Sequence, residues 1–193
     1  MNAPAKPATK SNRLTKQGWL EIGMAAMSET GPDGLTIDAI CARAGKTRGS
    51  FYHHFKSTDI YLNELVLWWK KSFTLDVIEK SEKHSKPSEK HDNLNQLAAH
   101  LDPQAEQAFR QLAARDGHAA NVVQDVDRIR IAYLTRLYEQ SPLYTPSQAA
   151  MIAKIEYAAW VGFQLIEPDA SPAQMLEMYQ GFLVMTGRGD HSE

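Results

Sequence analysis

Lys46, Arg48, Ser50, Tyr52, His53, His54 and Lys56 crowd into one short stretch, TIDAICARAGKTRGSFYHHFK, spanning residues 36–56. Cationic forks, hydroxyls and imidazoles at this density are the groups that grip phosphates and base edges. Arginine offers guanine a bidentate pair, whereas hydroxyls and lysines hold the sugar–phosphate backbone. Lys46, Arg48, Gly49 and Ser50 are the candidate base readers, with Gly49 allowing close backbone approach. Thr36, Thr47, Tyr52, His54 and Lys56 are the candidate phosphate contacts, and His53 completes the exposed cluster. A purely packed ring is the competing placement for Tyr52.

Two short helices must carry these groups. Ile37, Ile40, Cys41 and Ala44 pair at spacings of three (37/40, 41/44) and four (37/41, 40/44), one face of a helix. Thr36 suits its N-cap, and Gly45 suits the left-handed residue that ends it. Thr47 then caps a second helix whose buried side carries Phe51 and Phe55, four residues apart. Helix, glycine-marked turn, helix is the arrangement that places its second helix N-terminus first in a major groove.

At these residues the chain resembles the tetracycline-repressor (TetR) family of bacterial transcriptional regulators. Thr36, Ile40, Ala44, Gly45, Thr47, Gly49, Phe51, Tyr52, His54 and Phe55 stand in that family's order. Upstream, Trp19, Ile22, Ala26, Met27, Gly31 and Gly34 extend the likeness, which covers about Arg13 to Leu65. Thr58 departs from the family's usual Lys, removing one expected phosphate contact, with Lys56 a substitute. Tyr61 replaces the usual Leu, and Lys46 replaces a common apolar residue. Two placements fit Lys46: lifted toward DNA, or lying with its stem buried and its charge in water.

Net charge is only −2, but it is unevenly spread. Residues 1–58 hold eight Lys/Arg against four Asp/Glu; the remainder holds thirteen against nineteen. A basic N-terminal quarter on an acidic body is the footprint of a local DNA-binding surface. The first dozen residues, with two prolines and Lys6 and Lys10, read as a disordered basic arm. Together with Arg13 and Lys16 it either tracks the DNA backbone and minor groove or serves as a solubilising tail. No apolar run reaches the roughly 18 residues of a membrane span, so a cytoplasmic protein is expected. The single cysteine, Cys41, excludes an internal disulfide and reads as a small buried hydrophobe. The seven histidines include no HxxxH pair, and His84 and His91 fall in a polar stretch, so no metal and no cofactor are expected.

Beyond residue 58 the pattern is helical throughout, with no sustained alternation. A helix capped by Ser57 runs to about Lys80, and residues 81–92 read as a loop around Pro87. Residues 93–100, 103–116, 119–140, 147–167 and 172–186 read as further helices. Trp68, Trp69, Phe109, Tyr133, Tyr157, Trp160, Phe163 and Met151 are candidates to line an effector cavity or to form simple core. His100, His118, Asn121 and Gln164 are possible polar anchors within it. The penultimate helix is apolar nearly all round, which calls for burial on two sides. Ala149, Ile152, Tyr157, Trp160, Met175, Met178, Tyr179 and Phe182 are therefore the expected dimer-interface residues, a four-helix contact of the kind the resemblance also implies.

The expected fold is all-α: a basic arm (1–12), a helix-turn-helix module (13–58) and a helical ligand-binding and dimerising domain (59–193), about nine helices in all. The resemblance implies a regulator, most simply a repressor. It would bind a palindromic double-stranded operator as a homodimer and be released by a small-molecule effector. An effector-independent architectural DNA binder is the alternative; a small helical enzyme lacks any catalytic constellation.

Overall fold

Short polar side chains set the start of most helices. In the computed structural model, which describes residues 14–186, Thr15, Thr36, Thr47, Ser57, Asp102, Asp116, Thr145 and Ser171 each accept a hydrogen bond from a first-turn amide. At least one orphan amide of each of these helices is thereby satisfied. The elements are α1 (Lys16–Thr30), a 3₁₀ turn (Pro32–Gly34), α2 (Ile37–Ala44), α3 (Arg48–His54) and α4 (Thr58–Lys70). A π-helical segment (Lys71–Leu75) carries α4 straight into α5 (Asp76–Ser81). Then come α6 (Pro87–Ala99), α7 (Pro103–Ala113), α8 (Gly117–Glu139), α9 (Pro146–Ile166) and α10 (Pro172–Met185). Counting the α4–α5 rod once, the described residues form nine continuous helices and no strand. The N-terminal arm lies outside the described residues.

Two expectations are corrected. Residues 81–92 are not a loop around Pro87: that proline is the first residue of α6, where its missing N–H needs no partner. His91 is consequently no loop residue but a buried one, on the inner face of α6 with Asn95 and Ala99. The π segment is also unanticipated. There the Ser72 hydroxyl donates to the Trp68 carbonyl at 2.7 Å, a side-chain bond that competes with the regular ladder.

One apolar core runs unbroken from α1–α4 into α7 and α8, from Trp19 and Phe51 through Trp69 and Phe109 to Val126. A smaller cluster joins α8 to α9 around Leu134, Tyr138, Ala153 and Tyr157. By length and composition α9, at 21 residues, is the one described helix apolar enough to cross a bilayer. One of its faces packs along α8 and carries the buried polar residues Glu156 and Gln164.

Helices α1 and α4 approach closely at Gly23. A Cβ there would lie 2.1 Å from the Tyr61 hydroxyl, which itself donates to the Trp19 carbonyl at 2.9 Å. Burial pushes the Tyr61 phenol well above its ordinary pKa, so it stays a donor at any working pH. Gly23→Ala should cost roughly 1–3 kcal/mol by overpacking. The double variant Gly23→Ala/Tyr61→Phe should recover part of that loss in thermal melts. Additive losses would show that the contact is not tight.

Candidate nucleic-acid interface and effector cavity

The bend between α2 and α3 is fixed by backbone geometry. Gly45 sits at φ 60°, ψ 36°, a left-handed conformation that costs glycine nothing. The amides of Gly45 and Lys46 return to the carbonyls of Ala42 and Cys41 at 3.1 and 3.0 Å, closing the helix end. Below the bend, Phe51 and Phe55 are fully buried and meet Trp19 and Tyr61 edge-on, with ring centroids 4.8–5.4 Å apart. Everything else on α3 is thereby turned outward. Arg48, Gly49, Tyr52, His53 and Lys56 are exposed; Lys46, Ser50 and His54 are half-buried. Tyr52 is 48% exposed and touches Phe51 by its edge, so it is not a purely packed ring. The Thr36 and Thr47 oxygens accept cap bonds at 3.2 Å, which leaves each hydroxyl proton for another acceptor.

Sequence reading missed that Arg48 is paired. Its Nε and Nη2 donate to both oxygens of Asp38 on α2, at 2.6 and 2.5 Å. The Arg48 guanidinium holds the Asp38 carboxyl below the usual carboxylate range. With the two side chains 64% and 69% exposed, water and salt screen the pair heavily. Arg43 is likewise forked onto Glu29 at 2.7 and 2.5 Å. Both pairs join residues ten or more apart, on different helices, so helical spacing gives no hint of them. Cys41 is buried and its thiol is pushed up by desolvation, as expected of a small core residue.

In the body, a cleft with about 690 Å³ of empty space, open mouth included, lies between α5, α6, α8 and α9. Phe73, Val77, Ile78, Leu94, Leu134 and Trp160 form its apolar walls. One polar wall is an ion network: Arg130 grips Glu106 through Nη1 and Nη2 at 2.9 and 3.1 Å. It also donates to the Phe73 carbonyl, in the π segment, at 3.2 Å and to Thr74 Oγ1 at 3.0 Å. Burial works against the Arg130 charge, but Glu106 and Tyr157 outweigh it and raise the guanidinium pKa. The Tyr157 phenol, pushed up to about 12 by burial, donates to Asp127 at 2.6 Å and accepts from Arg110 at 2.8 Å. A second polar patch joins Glu156 to His91 Nε2 at 2.8 Å and to the Tyr138 hydroxyl at 2.6 Å.

Residues 20–64 match the pattern described as bacterial regulatory proteins, tetR family. Over that stretch the chain is similar to that family. No curated protein sequence matches the chain. Solved structures resemble the whole fold at low identity. A transcriptional regulator from Rhodococcus sp. Rha1 superposes with TM-score 0.76 at 17% identity, over 91% of this chain and 97% of that one. FadR from Bacillus subtilis, solved in complex with stearoyl-CoA, gives 0.66 at 13%, over 92% and 100%. AibR, solved with isovaleryl coenzyme A and operator DNA, gives 0.64 at 14%, over 85% and 95%.

Within this tetR-type frame, Tyr133, Tyr157, Trp160 and Gln164 line the cleft. Trp69 and Phe109 do not: they stack at 5.0 Å in the fully buried core. Trp68 is half-buried against that core, and Phe163 lies off the cleft lining. His100, His118 and Asn121 are exposed, away from it. What the sequence concealed is the charged wall. Glu106 and Arg130 stand among apolar neighbours in the inward stripes of α7 and α8, and that misplacement was the available signal.

The residues expected at a dimer interface lie as follows. Ala149, Tyr157, Met175, Tyr179 and Phe182 are buried inside the protomer, while Ile152, Trp160 and Met178 are half-buried. The apolar side chains that α9 and α10 expose are Met151, Ile155, Leu165, Ile166, Val184 and Met185. A helix apolar on every side does not announce which face turns inward.

Arg48→Ala should weaken binding to a selected duplex far more than to random DNA, whereas Tyr52→Phe should weaken both. Asp38→Ala removes a negative charge and frees the Arg48 fork, so binding to both duplexes should gain, the selected site at least as much as random DNA. Equal losses on both duplexes for Arg48→Ala would remove it as a base reader.

Proposed function

We propose that this chain is a transcriptional regulator, most simply a repressor, that binds a palindromic operator as a homodimer and is released by a small molecule. The observation that carries the reading is the outward face of α3, held by two buried phenylalanines on a tetR-type scaffold. Residues 13–58 act as the reading module and residues 59–193 as the sensing and dimerising body, in the cytoplasm. Arg48, with Lys46, Gly49 and Ser50, reads base edges. Thr36, Thr47, Tyr52, His53, His54 and Lys56 hold the backbone that fixes register.

Dimerisation is supported by the exposed apolar stripe of α9 and α10, which a monomer would leave in water. A two-fold contact there presents two reading helices, which must sit about 34 Å apart to enter successive major grooves.

Coupling to an effector is supported by the continuity of one rod. Its α4 end packs under α3 through Tyr61, and its π segment and α5 supply Phe73, Thr74, Val77 and Ile78 to the cleft wall. An occupant that binds better when this wall is displaced shifts the rod and the spacing of the heads. It acts only through that differential affinity. The complexes of AibR with a coenzyme A ester and operator DNA and of FadR with stearoyl-CoA show relatives of this shape holding such partners.

Selection from random duplexes should enrich an inverted repeat. Ile155→Arg should turn dimer into monomer in sedimentation and lower affinity for the repeat by about tenfold or more. Enrichment of no motif would overturn the reading. A dimer that survives Ile155→Arg would remove the proposed interface.

A further inference from the structure

We infer that the cleft is built for an uncharged, largely apolar effector, because the charged groups buried in its wall, Arg130, Glu106 and Glu156, are already engaged by neighbouring side chains. The inference rests on the reading of the cleft as the effector site. Arginine has five N–H donors, and the bonds of Arg130 occupy them all. Nε goes to Thr74, Nη1 to Glu106 and Tyr157, and Nη2 to Glu106 and the Phe73 carbonyl. A ligand carboxylate or phosphate entering the cleft therefore meets a cation with no donor to offer, and beside it the carboxylates of Glu106 and Glu156.

A cationic ligand fares no better at the two buried carboxylates. Glu106 accepts from Arg130 on both oxygens and from Arg110 on Oε1 at 3.1 Å. Glu156 is held by His91 on one oxygen and Tyr138 on the other. To pair with either carboxylate, a ligand ammonium must break bonds in a buried setting, where a charge stripped of partners is costly. Asp102 also borders the cleft, exposed and with its Oδ1 capping α7. The rest of the lining is apolar apart from the Thr74, Tyr133 and Tyr157 hydroxyls, the Asn95 and Gln164 amides and the Trp160 indole. These suit an alcohol, ketone, ester or amide.

The test is calorimetric titration of the full-length protein with three ligands of one carbon skeleton, each below its micelle concentration: octan-1-ol, octanoate and octylammonium. Octan-1-ol should bind at least about tenfold more tightly than either ion, a difference set by desolvation. Ala98→Phe, which fills the cleft, should abolish that binding while leaving the melting temperature close to wild type. Glu106→Gln leaves the Arg130 charge uncompensated, so octanoate should gain affinity about tenfold or more on this variant, with octan-1-ol unchanged. Should octanoate or octylammonium bind best to the wild type, and Ala98→Phe block it, the neutral-ligand inference fails while the cleft stands as an effector site. Should none of the three bind, or Ala98→Phe leave binding intact, the reading of the cleft itself fails and takes the inference with it.

Discussion

The structure hangs on a knot of four aromatic rings. Trp19, Phe51, Phe55 and Tyr61 come from α1, from α3 and its end, and from α4. They meet largely edge-on, the geometry in which aromatic quadrupoles attract. A helix of seven residues such as α3 is far too short to persist alone. It persists because the rings of Trp19 and Tyr61 hold its inner face, and the Tyr61 hydroxyl ties α4 to the Trp19 carbonyl of α1. The same knot attaches α3 to the start of the rod whose far end walls the cleft, so what stabilises α3 also ties it to the cleft.

Arginine–carboxylate forks occur at both ends of the molecule with opposite consequences. The Arg48–Asp38 fork faces solvent, where water and ions replace either partner at little cost. A phosphate or guanine can therefore compete for the arginine. The Arg130–Glu106 fork is buried beside the cleft, with side chains 16% and 6% exposed. There, removing one partner strands the other, so the network behaves as a fixed wall. One pairing chemistry thus yields an exchangeable contact at the surface and a rigid, charge-balanced lining inside.

Much of this was legible in the residues, for identifiable reasons. Thr36, Gly45, Thr47, Ser57 and Asp102-Pro103 mark helix ends by local chemistry, and they fall where expected. Phe51 and Phe55 gave the inner face of α3 by spacing alone. The failures came where the answer is set by distant partners. Pro87 reads as a breaker unless one sees that it opens α6 and that His91 beyond it finds Glu156, 65 residues away. The orientation of α9 was hidden because apolar residues cover it on all sides. Asp38 and Glu106 gained their importance only through arginines on other helices.

Amide hydrogen exchange, with and without the selected duplex, tests the central claim most directly: that DNA is gripped by the face around the Gly45 bend. Protection on adding the duplex should appear in α2, the bend and α3, residues 36–56, and leave the cleft-lining turns of α6 and α9 unslowed. Protection centred on the body, with residues 36–56 exchanging as in the free protein, would contradict the account.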